Sequence, residues 1–327
     1  EGLVTKEKAI LMMDPKQLDT LLHPTFNPDD MGHHEILEVG LPASPGAATG
    51  KLAFTAQEAK ERHEAGERVI LVRQETSPED IEGMIAAGVK HIEYSSFVSP
   101  KAIPQLADSA NITKALLEKY PKIDWIALVP NLRGAANAYE LGVKKIAYVV
   151  SLSKTHNKAN INRTHEQSLD AYKEIRQAYP DMDVIVDLAT AFGCPFEGKY
   201  RDVEPLITFL KDYVENGMTT CCLCDTIGIA DPQQVKTVIA AIKKSYPEID
   251  LMVHIHDTRG LGVANTLAAI ESGIVNIQSA LGGLGGCPFA PGASGNLSTE
   301  DMVWMLNEME YDTGINFSKI LAVAKQQ

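Results

Sequence analysis

Short apolar runs alternate with amphipathic stretches from Val89 onward, and seven strand-and-helix pairs follow one another along the chain. The apolar runs are nearly continuous in Val, Ile and Leu, which is typical of parallel strands covered on both faces. Parallel strands joined by helices predict an α/β fold, and eight such units close a (β/α)8 barrel. The predicted strands are VKHIEYS, DWIALV, KKIAYVV, DVIVDLA, TTCCLCD, DLMVHIH and IVNIQSA.

A closed barrel needs one further strand, and we predict that the run ERVILVR at residues 67–73 supplies it. The predicted fold is therefore a TIM (β/α)8 barrel over residues 67–327, preceded by an N-terminal extension over residues 1–66. A doubly wound open sheet is the alternative. The barrel is favoured because no G-x-G-x-x-G motif follows an early strand.

Composition restricts the partners. The 43 acidic against 30 basic residues give a net charge of −13, and no block of Lys and Arg interrupts it. Such a chain is predicted to bind neither nucleic acid nor an anionic membrane surface. The uncharged stretch 272–297 contains too many Gly and Pro residues for a membrane span. An odd number of cysteines without disulfide spacing indicates a reducing compartment, and the cytoplasm is predicted.

Two histidines stand at the predicted carboxyl end of the strand DLMVHIH. His254 and His256 share one face because side chains alternate along a strand. Two imidazoles side by side at a strand end form half of a divalent-metal site. The alternative is a pair of polar residues that hydrogen-bond to loops. The position at a barrel strand end favours the metal.

Polar residues occupy further predicted strand ends and the loop that follows the last strand. In GGLGGCPFAPGASGN, Cys287 is expected to be accessible, and Asn296 offers an amide oxygen as a hard ligand. A structural glycine loop explains this stretch equally well. Glu93 and Asp225 end two other strands, where each alone is more often a cap or a loop hydrogen-bonder.

HIEYSSFVSPKAIPQLAD, NIN, FGCPFEG, CDTIGIADP, HIHDT and GGLGGCPFAPGASGN, in that order, resemble the 3-hydroxy-3-methylglutaryl-CoA lyase family over residues 86–322. The resemblance implies a metal-dependent carbon–carbon lyase that cleaves its acyl-CoA substrate to acetyl-CoA and acetoacetate. It implies Mg²⁺ or Mn²⁺ as cofactor, with His254, His256 and Asn296 at metal-binding positions. It also implies catalytic roles for Cys287, Glu93 and Asp225. A homodimer is one assembly that the sequence leaves open.

The first part of the chain is similar to another family. DPKQLDTLLHPTFNP, GLPASPGAATGK and ERVILVRQETSPEDIEGM resemble pyruvate phosphate dikinase over residues 1–85. The Thr-Ser-His-Ala setting of that family's phosphorylated histidine is absent, which disfavours a phosphotransfer module. The two resemblances meet around residues 84–88, and the sequence is therefore interpreted as a fusion.

The lyase resemblance also implies a first strand ending in Arg-Asp-Gly, whose Asp binds the metal and whose Arg polarises the thioester carbonyl. Here Arg73 is followed by Gln74 and Glu75, and neither role is carried over. We therefore predict at best a weak lyase. The alternatives are a non-catalytic barrel and a related acyl-CoA aldolase-type enzyme.

Overall fold

The computed structural model describes residues 26, 49–54, 56–72, 78–99, 101, 103, 106–285 and 295–325. The chain divides into two compact units, Glu1–Gln74 and Glu75–Gln327. The first unit contains a small βαβ arrangement, and the second contains the large sheet.

In the first unit, β1 (Lys51–Ala53) and β2 (Val69–Leu71) form a parallel pair, and α1 (Ala56–Glu64) connects them. Ion pairs hold the end of the connection in place. Glu67, which precedes β2, accepts hydrogen bonds from Lys51 Nζ at 3.0 Å and from Arg62 Nε at 2.9 Å. Such exposed pairs contribute little free energy individually, so the buried Ala53 and the backbone pairing define the register.

The prediction that residues 67–73 complete the barrel is wrong. Val69–Leu71 pairs with Lys51–Ala53 in a two-stranded sheet and with no strand of the large sheet. The two compact units divide between Gln74 and Glu75, and the predicted domain boundary between residues 66 and 67 stays a prediction. The physical reason is that an apolar strand of three residues fits either sheet, and its helix-linked neighbour β1 is close in the chain. The resemblance of the first part to the dikinase stays a prediction.

The second unit is built on a curled, seven-stranded parallel sheet of TIM-barrel type. Its strands are β3 (His91–Ser96), β4 (Asp124–Val129), β5 (Lys145–Ser151), β6 (Asp183–Ala189), β9 (Thr220–Asp225), β10 (Asp250–Ile255) and β11 (Asn276–Gln278). They lie side by side in the order β11-β10-β9-β6-β5-β4-β3. A short antiparallel pair, β7 (Gly193–Cys194) and β8 (Gly198–Lys199), lies between β6 and β9 in the chain. β3 and β11 are the edges of the large sheet.

Helices separate the successive strands and cover one face of the sheet. They are α2 (Pro78–Ala87), α3 (Ser109–Lys119), α4 (Leu132–Glu140), α5 (Lys154–Ile161), α6 (His165–Ala178), α7 (Glu204–Glu215), α8 (Pro232–Ser245), α9 (Gly262–Glu271), α10 (Thr299–Glu308) and α11 (Phe317–Ala324). Within the described residues, no helix is long and apolar enough to cross a membrane.

Alternation along the strands divides their side chains between two cores. The large outer core lies between sheet and helices and contains the buried rings of Tyr148, Tyr172 and Tyr213. The smaller inner cluster lines the concave face with Ile126, Ala147, Ile185, Cys222 and Cys224. These side chains are small or of medium size. Polar residues occupy the carboxyl end of the concave face and form the candidate site.

Candidate functional site at the carboxyl ends of the strands

The strand registers show which polar side chains share the concave face. Glu93 pairs with Ile126 of the inner cluster, Asp187 pairs with Cys222, and His254 pairs with Cys224. Residues paired between parallel strands point to the same side of the sheet. Glu93, Asp187 and His254 therefore all lie on the concave side of the sheet.

The structure brings His254, His256 and Asn296 together. The two imidazole centroids lie 5.2 Å apart with an interplanar angle of 58°, and His256 forms an isolated antiparallel bridge with Asn296. Burial lowers the pKa of His254, and it lowers the pKa of His256 to about 3, helped by the neighbouring His254. Both rings are therefore neutral near pH 7, as metal ligands must be.

Unsatisfied polar atoms at this cluster fit a cation. His256 Nδ1 and Asn296 Oδ1 are buried without a hydrogen-bond partner, which is costly for a polar group. His254 Nδ1 lies 3.0 Å from Gln278 Oε1, so the Gln278 amide orients this ring. Two imidazoles and an amide oxygen suit a divalent metal.

The candidate ligand set carries no negative charge, which argues against tight binding of a divalent metal. Across the described residues, no group of three His, Cys, Asp or Glu side chains is placed to hold a metal ion. The candidate ligands are two neutral rings and an amide, without a carboxylate. That His254, His256 and Asn296 bind a metal stays a prediction.

Asp187 is the site residue that the sequence analysis missed. Its side chain is 7% exposed, and its Oδ1 has no hydrogen-bond partner. Burial raises the pKa of Asp187 well above its usual range, and the charge of Glu93 raises it further. A carboxylate between Val186 and Leu188 in a buried strand was the available signal, because Asp is seldom buried without a partner.

Glu93 lies on the edge strand β3. The surrounding protein raises the pKa of Glu93 to about 7 by desolvation, although the side chain is open to solvent at this edge and water opposes the rise. Two nearby carboxyl groups with raised pKa values can keep a proton near neutral pH. This property suits an acid–base role.

The structure does not bring Asp225 to the concave face. Its carboxylate accepts hydrogen bonds from the backbone N–H groups of Ile229 at 2.9 Å and Ala230 at 3.0 Å. Burial raises the pKa of Asp225 to about 6 against the effect of these bonds. Asp225 thus stabilises the turn after β9, and its catalytic role stays a prediction.

Cys287 lies outside the described residues, but the loop that carries it is defined at both ends. Asn296 N donates to Gly283 O at 2.9 Å, and Gly295 N donates to Gly285 O at 3.1 Å. Asn296 Nδ2 also donates to Leu284 O at 2.8 Å. The chain therefore leaves and re-enters the described structure beside Asn296. In contrast, the described cysteines are buried, and burial raises the pKa of Cys221 and Cys222 well above the usual range.

A curled parallel sheet with converging imidazoles at its strand ends defines a TIM-barrel protein with a candidate metal centre. A family model described as HMGL-like matches residues 36–326, and this chain belongs to that family. The prediction of a TIM-barrel fold and the resemblance to the lyases are confirmed.

Known relatives agree. The hydroxymethylglutaryl-CoA lyase of Bacillus subtilis is 40% identical over 240 residues, which are 73% of this chain and 80% of that protein. The human mitochondrial hydroxymethylglutaryl-CoA lyase is 38% identical over 243 residues, covering 74% of each chain. The structure of an HMG-CoA lyase from Acinetobacter baumannii, in complex with coenzyme A and 3-methylmalate, is 40% identical with a TM-score of 0.71. The alignment covers 76% of this chain and 81% of that one.

Proposed function

We propose that this chain cleaves 3-hydroxy-3-methylglutaryl-CoA to acetyl-CoA and acetoacetate with the help of Mg²⁺ or Mn²⁺. The observation that carries the proposal is the convergence of His254, His256 and Asn296 at the carboxyl ends of the strands. Active sites of TIM barrels lie at this end of the sheet. The relatives named above are lyases for this substrate, which supports the same reaction here.

The metal would be held by His254 and His256 through ring nitrogens and by Asn296 through Oδ1. When bound, it supplies Lewis-acid chemistry that lowers the pKa of a coordinated substrate hydroxyl. The contribution of the chain is to keep both rings neutral and fixed. Gln278 orients His254, and the backbone bridge to Asn296 positions His256.

Proton transfer falls to the acidic residues and the loop thiol. Glu93, with its raised pKa, is suited to take the proton of the tertiary hydroxyl near neutral pH, and Asp187 on the same face can share it. Loss of that proton turns the hydroxyl carbon into the ketone of acetoacetate as the carbon–carbon bond breaks. The electron pair of that bond remains on the acetyl-CoA carbon, and Cys287 is the acid that protonates this carbon.

A non-catalytic barrel is the second candidate, and the pairing of β2 favours it. The run that precedes Gln74 pairs with β1, so no described strand brings an Arg and an Asp to the concave face beside β3. The candidate metal ligands also carry no negative charge. We therefore propose slow turnover. A related acyl-CoA aldolase reaction would use the same residues on another acyl-CoA.

Metal-dependent release of acetoacetate from the CoA thioester tests the proposal. Activity that is present with Mn²⁺ and lost in His254→Ala supports the lyase. Metal binding without turnover favours the non-catalytic barrel.

We also propose that the protein is located in the cytoplasm. The four described cysteines support this, because they are all free thiols.

A further inference from the structure

Asp187 carries a carboxyl group on the concave face of the sheet, and the structure leaves part of it unsatisfied. The residue lies in the carboxyl-terminal half of β6 and is 7% exposed. Its Oδ1 is buried and forms no hydrogen bond. A buried polar atom without a partner costs free energy, and a bound ligand can remove that cost.

The strand registers place Asp187 deeper in the concave face than the candidate metal site. Asp187 pairs with Cys222 of β9, whereas His254 pairs with Cys224, the next inward-facing residue toward the carboxyl end of β9. Two residues of a strand span about 7 Å. A substrate that is held at His254 and extends this far along the strands therefore reaches the Asp187 carboxyl group.

The neighbouring strand β5 provides no cation for Asp187, which pairs there with Val149. The lysine on the inner face of β5, Lys145, lies four residues nearer the amino end, which is about 13 Å along the strand. Its ammonium group forms ion pairs with Asp124 at 2.6 Å and with Asp183 at 3.4 Å. This lysine is therefore engaged at the opposite end of the sheet.

The described titratable groups that face Asp187 are acids and thiols. Glu93 acts on it across the concave face, and Cys222 and Cys224 face it from β9. A buried carboxylate without a counter-ion is so costly that the group binds a proton instead. Burial and the charge of Glu93 accordingly raise the pKa of Asp187 well above its usual range. Near pH 7, Asp187 is therefore a neutral carboxyl group with an O–H to donate.

Asp187 is distinct from the candidate metal ligands. Burial, Gln278 and Asn296 determine the pKa of His254, whereas burial and Glu93 determine that of Asp187. A protonated carboxyl group is also a poor metal ligand, because metals bind carboxyl groups in their ionised form. The chemistry left to Asp187 is that of a hydrogen-bond donor.

We propose that Asp187 donates a hydrogen bond from its neutral carboxyl group to a negatively charged oxygen of the reacting molecule. This role rests on the proposed function. Two oxygens have the required chemistry. One is the thioester oxygen, which becomes negative when the electron pair of the broken carbon–carbon bond spreads onto it. The other belongs to the free carboxylate that acetoacetate retains. The proton stays on Asp187, and a fixed donor in a buried site stabilises such an oxygen.

Infrared difference spectroscopy of the full chain with Mg²⁺ tests this hydrogen bond without measuring turnover. The spectrum of the wild type minus that of Asp187→Asn, recorded at pH 7, isolates the C=O stretching band of the protonated Asp187 carboxyl group. Acetyl-CoA or acetoacetate is then added to both proteins, with isotopically labelled carbonyl groups that move the bands of the ligand away. We expect one of these ligands to shift the Asp187 band to lower frequency, because a carboxyl group that donates a hydrogen bond has a weaker C=O bond.

The two ligands identify the acceptor. Acetyl-CoA has a thioester but no free carboxylate, so a shift with acetyl-CoA assigns the hydrogen bond to the thioester oxygen. Acetoacetate has a carboxylate but no thioester, so a shift with acetoacetate assigns it to the carboxylate. A difference spectrum without a protonated carboxyl band overturns the proposal. A band that neither ligand shifts overturns it as well.

Two substitutions of similar size separate the donor from packing. Asp187→Asn keeps an N–H donor, and Asp187→Leu removes every polar atom of the side chain. For the ligand that shifts the band, calorimetric titration should give a Kd raised at least about fivefold in Asp187→Leu and less than about twofold in Asp187→Asn. As pH rises through the raised pKa, the wild type should lose affinity and Asp187→Asn should keep it.

Equal affinities in the wild type and both variants would overturn the proposal. If Asp187→Leu does not fold, the spectra and the pH dependence of the wild type and Asp187→Asn still decide. A shifted Asp187 band in a wild type that releases no acetoacetate from 3-hydroxy-3-methylglutaryl-CoA would contradict the proposed function alone.

Discussion

His256 and Asn296 pair across an isolated antiparallel bridge, although forty residues of sequence separate them. The bridge places an imidazole and an amide oxygen side by side, and each has a buried polar atom without a partner. This pairing joins the end of β10 to the glycine loop and so builds the candidate metal site from two separate segments.

Replacing His256 by Ala is expected to weaken Mn²⁺ binding by at least about tenfold, because one of only two imidazoles is lost. His91→Ala is the matched control, since His91 is an exposed histidine at the amino end of β3 and bonds to Asp124. Calorimetric titration with Mn²⁺ measures both. Equal affinities in the two variants would mean that the metal binds elsewhere.

The substitution Gly285→Ala is expected to disturb the loop at Asn296. A Cβ at Gly285 would lie 2.8 Å from Asn296 Nδ2, and the φ of +99° is unfavourable for Ala. Gly198→Ala is the control, because its φ of +77° gives a comparable backbone strain of about 1 kcal/mol, with nothing within 4 Å of the added Cβ.

Both glycine variants should lose similar stability in chemical denaturation, but only Gly285→Ala should lose Mn²⁺ affinity. Retained affinity in Gly285→Ala would show that the contact with Asn296 has no part in binding.

Asp187 makes stability depend on pH. Its folded-state pKa is raised, so its contribution to the free energy of unfolding is fully present below the unfolded pKa of about 3.9 and is lost as pH rises through the folded pKa. Glu93, with a pKa of about 7, acts in the same direction. Wild-type stability should therefore fall between about pH 4 and pH 7 from these two groups.

Asp187→Asn is expected to reduce that fall, measured by urea denaturation at pH 5 and pH 8. Asp170→Asn, on the exposed side of α6, should leave the dependence as in the wild type. An unchanged pH dependence in Asp187→Asn would contradict the raised pKa.

Cysteine reactivity tests the assignment of the loop thiol. Brief alkylation followed by mass spectrometry should label Cys287 first, because Cys222 and Cys224 are buried and a buried thiol with a raised pKa forms little thiolate. Cys287→Ala should abolish the early label. First labelling of Cys222 would contradict the assignment.

The sequence predicted the seven strands of the large sheet because each contains a short apolar run and amphipathic helical stretches separate the runs. It also predicted that His254 and His256 share a face, because alternation is a local property of strands. The strand with which ERVILVR pairs could not be predicted in this way. A short apolar strand matches several partners, and the choice depends on pairing with Lys51–Ala53, which carries no distinctive pattern.

Asp187 and Asp225 show a similar limit on what the sequence could predict about the candidate site. Both are acidic residues of predicted strands, but Asp187 lies on the concave face and Asp225 on the other side of β9, where backbone N–H groups bind it. Which face a strand buries depends on the curvature of the sheet. Position at a strand end therefore singled out Asp225, whose catalytic role stays a prediction, and gave no reason to single out Asp187.

Acetoacetate release from 3-hydroxy-3-methylglutaryl-CoA, with Mn²⁺ added, is the most direct test of the proposed lyase. We expect turnover about 10²–10³-fold below a typical 10 s⁻¹, because the candidate ligand set lacks a carboxylate and no described strand pairs with the outer edge of β3 to supply the missing Arg and Asp. This activity should disappear with EDTA, in His254→Ala and in Cys287→Ala. Turnover near 10 s⁻¹ would contradict the impaired site, and activity that survives EDTA or either substitution would contradict the site itself.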